Sequence, residues 1–147
     1  MVQGAVKRVG VILLLWAGPA GAGHELENRD LTNGATLYAQ HCAACHGTNL
    51  EGQPDWRSPG ADGILPAPPH DRTGHTWHHS NAMLFDYTKL GGQSALAALG
   101  VTDFTSGMPA FQDVISDQDI WDILGYIRST WPAREQAVQS GQNPPHD

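Results

Sequence analysis

A chain of 147 residues has room for one ordinary domain, and its formal charge of −7 excludes the polyanion binders, since nucleic acid and anionic membrane surfaces repel an acidic protein. Seventeen Gly and ten Pro make about 18% of the residues against a usual share near 12%. That much turn former excludes an extensive regular core and calls for a staple such as a metal, a disulfide or a bound group.

The N-terminus reads as an address. Lys7 and Arg8 precede an apolar run from Val9 to Ala17, Gly18 and Pro19 break it, and Ala20, Gly21 and Ala22 offer small residues to a signal peptidase. Residues 1–22 are therefore expected to be cleaved, leaving a mature chain from Gly23 in the periplasm or outside the cell. Even Val9 to Ala22 is shorter than the roughly 20 residues that cross a bilayer. Without that segment six Lys and Arg face fifteen Asp and Glu, a formal −9, so a protein partner is expected to offer a basic or neutral face.

The first helix is predicted in NGATLYAQHCAACHG, residues 33–47, where Gly34, Leu37, Tyr38, His41, Cys42 and Cys45 recur at spacings of three and four. Gly34 costs on the order of 1 kcal/mol relative to Ala in a helix and is tolerable where another helix crosses closely. Residues 48–74 are dense in turn formers and show no period; a loop of that length is functional or wraps around something. Ser80 then caps NAMLFDYTKL, with an apolar stripe of Met83, Leu84, Tyr87 and Leu90 closed by Gly91, and QSALAALG adds a turn or two.

Ser116 and Asp119 make a capping arrangement before Ile120, Trp121, Leu124, Ile127 and Trp131, a helical repeat that Pro132 ends. Residues 133–147, polar with Gly and two prolines, are expected to be a disordered tail. No alternating strands and no internal repeats are present, so the fold class expected is all-α.

The only two cysteines, Cys42 and Cys45, stand in CAACH with His46 after the second. On a helix these three side chains leave from nearly one face. Two thiols one turn apart can reach two vinyl groups of a porphyrin while the imidazole reaches the iron, and C-x-x-C-H marks c-type haem attachment for that reason. Rival chemistries fit less well. A disulfide across CxxC closes a very small loop and stabilises little. A structural zinc needs four ligands and typically a second cysteine or histidine pair, but no other cysteine exists and His75 and His79, with an acceptable gap, follow only after a very long loop. A thioredoxin-like dithiol expects a βαβ context that is absent.

With the helix leading into CAACH, the methionine of GMPAF and the aromatic helix DIWDILGYIRSTW, residues 31–132 resemble the class I c-type cytochromes, in particular small single-haem bacterial members. The resemblance implies a cytochrome c-like fold, three to five helices and long loops around one covalently attached haem c, over residues 23–132. It also implies that the first and last helices cross, placing Gly34 and Tyr38 against Ile123 and Tyr126. Cys42 and Cys45 would attach the haem, and His46 would bind iron opposite a methionine. Met108, between Gly107 and Pro109 and just before the last helix, is preferred to Met83, which lies on an apolar stripe. A thioether opposite imidazole raises the potential relative to two imidazoles and leaves no open coordination position.

HDRTGHTWHH holds His70, His75, His78 and His79, half of the eight histidines, and these are candidates for a replacement iron ligand or an additional copper or zinc site. The more ordinary fate of such residues is an exposed position or a hydrogen bond to backbone or a haem propionate. Trp77 is expected beside the porphyrin. A ligating histidine usually gives its second ring N–H to a carbonyl, and the PAPP run at residues 66–69 is the candidate source. The function expected is one-electron transfer between redox proteins. Its alternatives are a haem c subunit of a larger oxidoreductase and a sensor or catalytic haem with an open sixth position.

Overall fold

The computed structural model describes residues 25–143, and the expected signal peptide at 1–22 lies outside them. Among the described residues there are six α-helices and no strand: α1 Leu31–His41, α2 Ala43–His46, α3 Asn81–Leu90, α4 Gly92–Ala98, α5 Asp117–Ser129 and α6 Ala133–Ser140, with a 3-10 turn at Thr76–His78. None is long and apolar enough to cross a membrane.

Helix α1 begins where the Asp30 carboxylate accepts hydrogen bonds from the backbone N–H groups of Thr32 and Asn33, filling two donors that a helix start leaves open. It does not run unbroken to Gly47 as the spacing predicts. Cys42 adopts φ −114° and ψ −38°, and the helix resumes for one turn as α2 before Gly47, at φ +83°, ends it. Gly47 is required there, because a side chain in that conformation is strained and its Cβ would also meet Glu51. Across the break the N–H groups of Cys45 and His46 still bond to the carbonyl of Cys42, so Cys42, Cys45 and His46 share one helical turn.

Helix α5 carries the full capping box: Ser116 Oγ accepts from the Asp119 N–H while the Asp119 carboxylate accepts from the Ser116 N–H. The expected crossing of α1 and α5 is present. A Cβ on Gly34 would lie 2.1 Å from the carbonyl oxygen of Asp122 and 2.9 Å from Cβ of Tyr126, so only glycine allows the two backbones so close. Around this contact Tyr38, Ala43, Leu50, Ile123, Ile127 and Trp131 form the main core, and Leu26, Ile120 and Leu124 form a second cluster against Leu84 and Phe85 of α3. The two faces of α5 thus bind both halves of a loop-rich chain.

The expected disordered tail is corrected by α6. Its composition gives no apolar stripe, yet Gln139 is fully buried. The Gln139 side-chain amide donates to Asn81 Oδ1 at 2.6 Å, Asn143 Oδ1 accepts from the Asn81 N–H at 2.7 Å, and Arg128 donates to Ser140 Oγ at 3.1 Å. A polar network centred on the donated bonds of Gln139, rather than buried hydrocarbon, docks this helix against the start of α3. The tail beyond residue 143 lies outside the described residues. Among the described residues the α-helices number six, against the three to five expected, since Cys42 divides one helix into two and α6 is added.

Candidate haem-attachment site

The site begins with the turn Cys42–His46. Cys42 is half-buried and Cys45 exposed, and neither is in a disulfide. Burial, with the neighbouring Cys45 adding to it, pushes the Cys42 thiol up to about 11, so it stays protonated at neutral pH. His46 is buried, and its ring Nδ1 lies 2.8 Å from the carbonyl oxygen of Pro68. A carbonyl can only accept, so Nδ1 carries the proton and Nε2 keeps its lone pair for a metal. Burial lowers the His46 pKa and the Pro68 bond opposes that shift, which leaves a neutral imidazole. The PAPP run does supply the orienting carbonyl, and it is that of Pro68.

Several contacts hold this carbonyl in place. Leu50, at φ +64° and buried, turns the chain so that its own carbonyl accepts from the N–H groups of His70 and Asp71. The Gly52 N–H returns to the His46 carbonyl at 2.7 Å, and a Cβ on Gly52 would meet Pro69 N at 2.4 Å and the Pro68 carbonyl carbon at 2.7 Å. Residues 66–70 are thus strapped across the end of α2 by backbone bonds, and the prolines stiffen the strap.

Met108 is half-buried in the loop between α4 and α5. Its carbonyl accepts from the Gly92 N–H at 3.1 Å, and its N–H donates to Ser106 Oγ, which is itself 2.8 Å from the Tyr87 hydroxyl. Two contacts tie this loop to the rest of the site. Phe111 meets the ring of His41, one residue before Cys42, edge to face at 6.3 Å, and Ile64, two residues before the strap, lies against Gly107. Met83 is on α3, half-buried, with its N–H donating to the Ser80 cap.

The four clustered histidines part company. His70 turns inward: its ring stacks on that of His46 with centroids 4.0 Å apart and planes 24° from parallel, and its Nδ1 is 2.8 Å from Thr76 Oγ1. His75 stacks on Trp56 at 5.3 Å and meets His79 edge to face at 5.2 Å, while His78 lies on Trp77. Among the described residues no three His, Cys, Asp or Glu side chains are arranged to hold a metal ion, so the segment does not assemble the additional metal centre considered above. Trp77 packs against the main core with a buried Nε1–H that has no acceptor. Sequence reasoning missed the inward turn of His70, for which the adjoining Pro-Pro was the one available signal, and, though it put Trp131 on the last helical repeat, missed that its Nε1–H donates to the His70 carbonyl at 2.7 Å.

Residues 31–131 match the cytochrome c family, and the chain belongs to it. It is accordingly a haem c electron carrier, with the haem bound covalently. It is similar to a cytochrome c6 from Bumilleriopsis filiformis, with 28% identity over 104 residues that cover 68% of this chain and 91% of that protein. No solved structure matches it. The donor set fits the haem: two unbridged thiols and an imidazole with a bare nitrogen share one turn.

Proposed function

We propose that the mature chain is an exported carrier of single electrons between redox proteins, with Cys42 and Cys45 as the thioether residues and His46 and Met108 as the axial ligands of one haem c. The observation that carries this reading is the His46 Nδ1 to Pro68 bond, because it assigns the proton to one ring nitrogen and the lone pair to the other. Haem iron supplies the one-electron couple. The chain's own residues do the rest. Pro68 holds the His46 proton at Nδ1 and leaves the lone pair on Nε2, and the core around Tyr38 and Ile127 excludes water from that side.

For Met108 the support is the anchoring of its loop by Gly92, Ser106 and Tyr87 and the contact of Phe111 with His41 at the end of α1. Export is supported by Lys7, Arg8 and the apolar run that follows them, and a basic or neutral partner by the acidic balance of the mature chain. The experiment is visible spectroscopy of the purified protein, oxidised and reduced, with Met108→Ala and Met83→Ala beside wild type. Loss of the ferric sulfur-to-iron band in Met108→Ala alone assigns the ligand. Its loss in Met83→Ala alone, or its absence from wild type, rejects Met108. Mass analysis of the mature chain shows one added haem and an N-terminus near Gly23, and two alkylatable thiols on an unmodified chain end the proposal.

A further inference from the structure

We propose that His70 is a positioning residue for His46, its ring fixing the plane in which the neighbouring imidazole lies; this rests on the reading of His46 as an iron ligand. The argument starts from what the Pro68 bond leaves undetermined. A hydrogen bond along Nδ1–H pins one atom of the His46 ring and tolerates a broad range of angles before it weakens. The direction of Nε2 is then set only loosely, and the ring retains a swing about that contact. A flat surface 4.0 Å away and within 24° of parallel removes the swing, because any tilt drives one edge of the ring into its neighbour.

His70 can serve as that surface because it is itself held at four places. Its N–H donates to the Leu50 carbonyl at 2.8 Å, and its carbonyl accepts from Trp131 Nε1 at 2.7 Å. Its Nδ1 is paired with the Thr76 hydroxyl at 2.8 Å, and its ring meets Tyr38 edge to face at 6.3 Å. Thr76 is buried in the 3-10 turn and cannot follow a moving partner. Pro68 and His70 are two residues apart on the same clamped strap, so the carbonyl and the ring that constrain His46 move together or not at all. An apolar residue would have satisfied the packing without the cost of burying an imidazole, which is tolerable only with a hydrogen-bond partner supplied. The pairing with Thr76 is that partner, and what the imidazole adds over an aliphatic chain is a rigid flat face.

The plane of an axial imidazole sets how unpaired spin is distributed over a ferric haem, and that distribution is read in the hyperfine-shifted haem-methyl resonances and in the electron-paramagnetic g-values. The experiment compares haem-loaded wild type with His70→Leu, His70→Phe and Thr76→Val. Leu, which keeps volume and loses the flat face, is expected to change the order or spread of the methyl shifts while the spectrum stays low-spin. Phe is expected to retain the wild-type pattern. Thr76→Val, which leaves the ring in place without its anchor, is expected to change the pattern in the direction of Leu and keeps the question answerable if Phe does not fold. Identical methyl shifts and g-values in wild type, Leu and Thr76→Val overturn the proposal. A wild-type ferric spectrum without an imidazole ligand overturns it together with the assignment of His46, and is recognised before any variant is compared.

Discussion

The backbone of α1 at Gly34 rests on the carbonyl of Asp122 in α5, so close that a Cβ would lie 2.1 Å from the oxygen. This contact fixes the separation of the two helices on which the site is built, because α1 delivers Cys42 and α5 carries the core that backs His46. Gly34→Ala should gain about 1 kcal/mol of helix propensity. The backbone carbonyl it meets cannot rotate away as a side chain would, so overpacking outweighs that gain and the net loss is expected to be roughly 2 kcal/mol. Denaturant unfolding of the haem-loaded protein checks this, and a variant as stable as wild type would show that the crossing is looser than described.

Gly52→Ala should act on the iron through the strap. At φ +68° a side chain is already strained, and its Cβ would press on Pro69 N and the Pro68 carbonyl carbon, pushing the carbonyl away from His46. With His46 bound to iron as proposed, the Pro68 bond makes the imidazole a stronger electron donor, which favours ferric iron, so weakening it should raise the potential. A hydrogen bond worth about 1 kcal/mol more in one oxidation state corresponds to roughly 40 mV for one electron. Spectroelectrochemical titration reads the shift, and a lowered or unchanged potential contradicts the orienting role of Pro68.

What the sequence made legible follows from how local the causes are. The Ser116 and Asp119 capping box, the Ser80 cap of α3 and the Gly34 crossing each depend on residues whose type and spacing announce them. The break at Cys42 and the choice of the Pro68 carbonyl depend on backbone turns set by distant partners, such as Leu50 at φ +64°. Helix α6 was illegible for another reason. Its contacts run from Gln139 to Asn81 and from Ser140 to Arg128, amides and hydroxyls that periodicity of hydrophobic residues does not reveal. His70 looked like a surface histidine because its buried partner, Thr76, is one that only the folded loop brings near.

Asp119 gives the fold a defined response to acid. The Ser116 hydroxyl first, then the Asn33 amide and the Ser116 backbone, hold its carboxyl below the usual range. A group whose folded pKa is depressed adds stability that is complete above its unfolded value, about 3.9, and is lost as pH falls through the lower folded value. Ser116→Ala should raise the Asp119 pKa and cost about 1 kcal/mol through loss of the cap. The stability gap between variant and wild type should be widest at neutral pH and should narrow in acid, without closing. An NMR titration of the Asp119 carboxyl that does not move on substitution would remove Ser116 as the main cause.

Gln139→Leu tests whether α6 is held by its polar network. Leu is close to Gln in bulk, so the change removes the donor to Asn81 Oδ1 and to the His79 carbonyl while leaving the space filled. Loss of a buried donor from hydrogen-bonded acceptors is expected to cost about 1–3 kcal/mol. Amide exchange in α6 and at the start of α3 should quicken together, whereas α1 and the first turns of α5 should change little. A stabilised variant would mean that the buried Gln139 Oε1, which has no partner, already costs more than the two donated bonds return.

Removal of the haem is the broadest test of what the loops wrap around. The main core contains six buried residues and must order a segment, residues 48–75, with no regular structure of its own. Small loop-rich domains of this kind need a staple, and thioether bonds at the proposed attachment residues Cys42 and Cys45 would provide one by fixing a large apolar group to that turn. Cys42→Ser with Cys45→Ser leaves every helix former in place and removes only the attachment. The variant expressed without haem is expected to lose most of its helical circular dichroism and its cooperative thermal transition, and to regain neither on adding salt or lowering the temperature. Native helix content in that material would show that α1, α5 and their crossing at Gly34 suffice to fold the chain unaided.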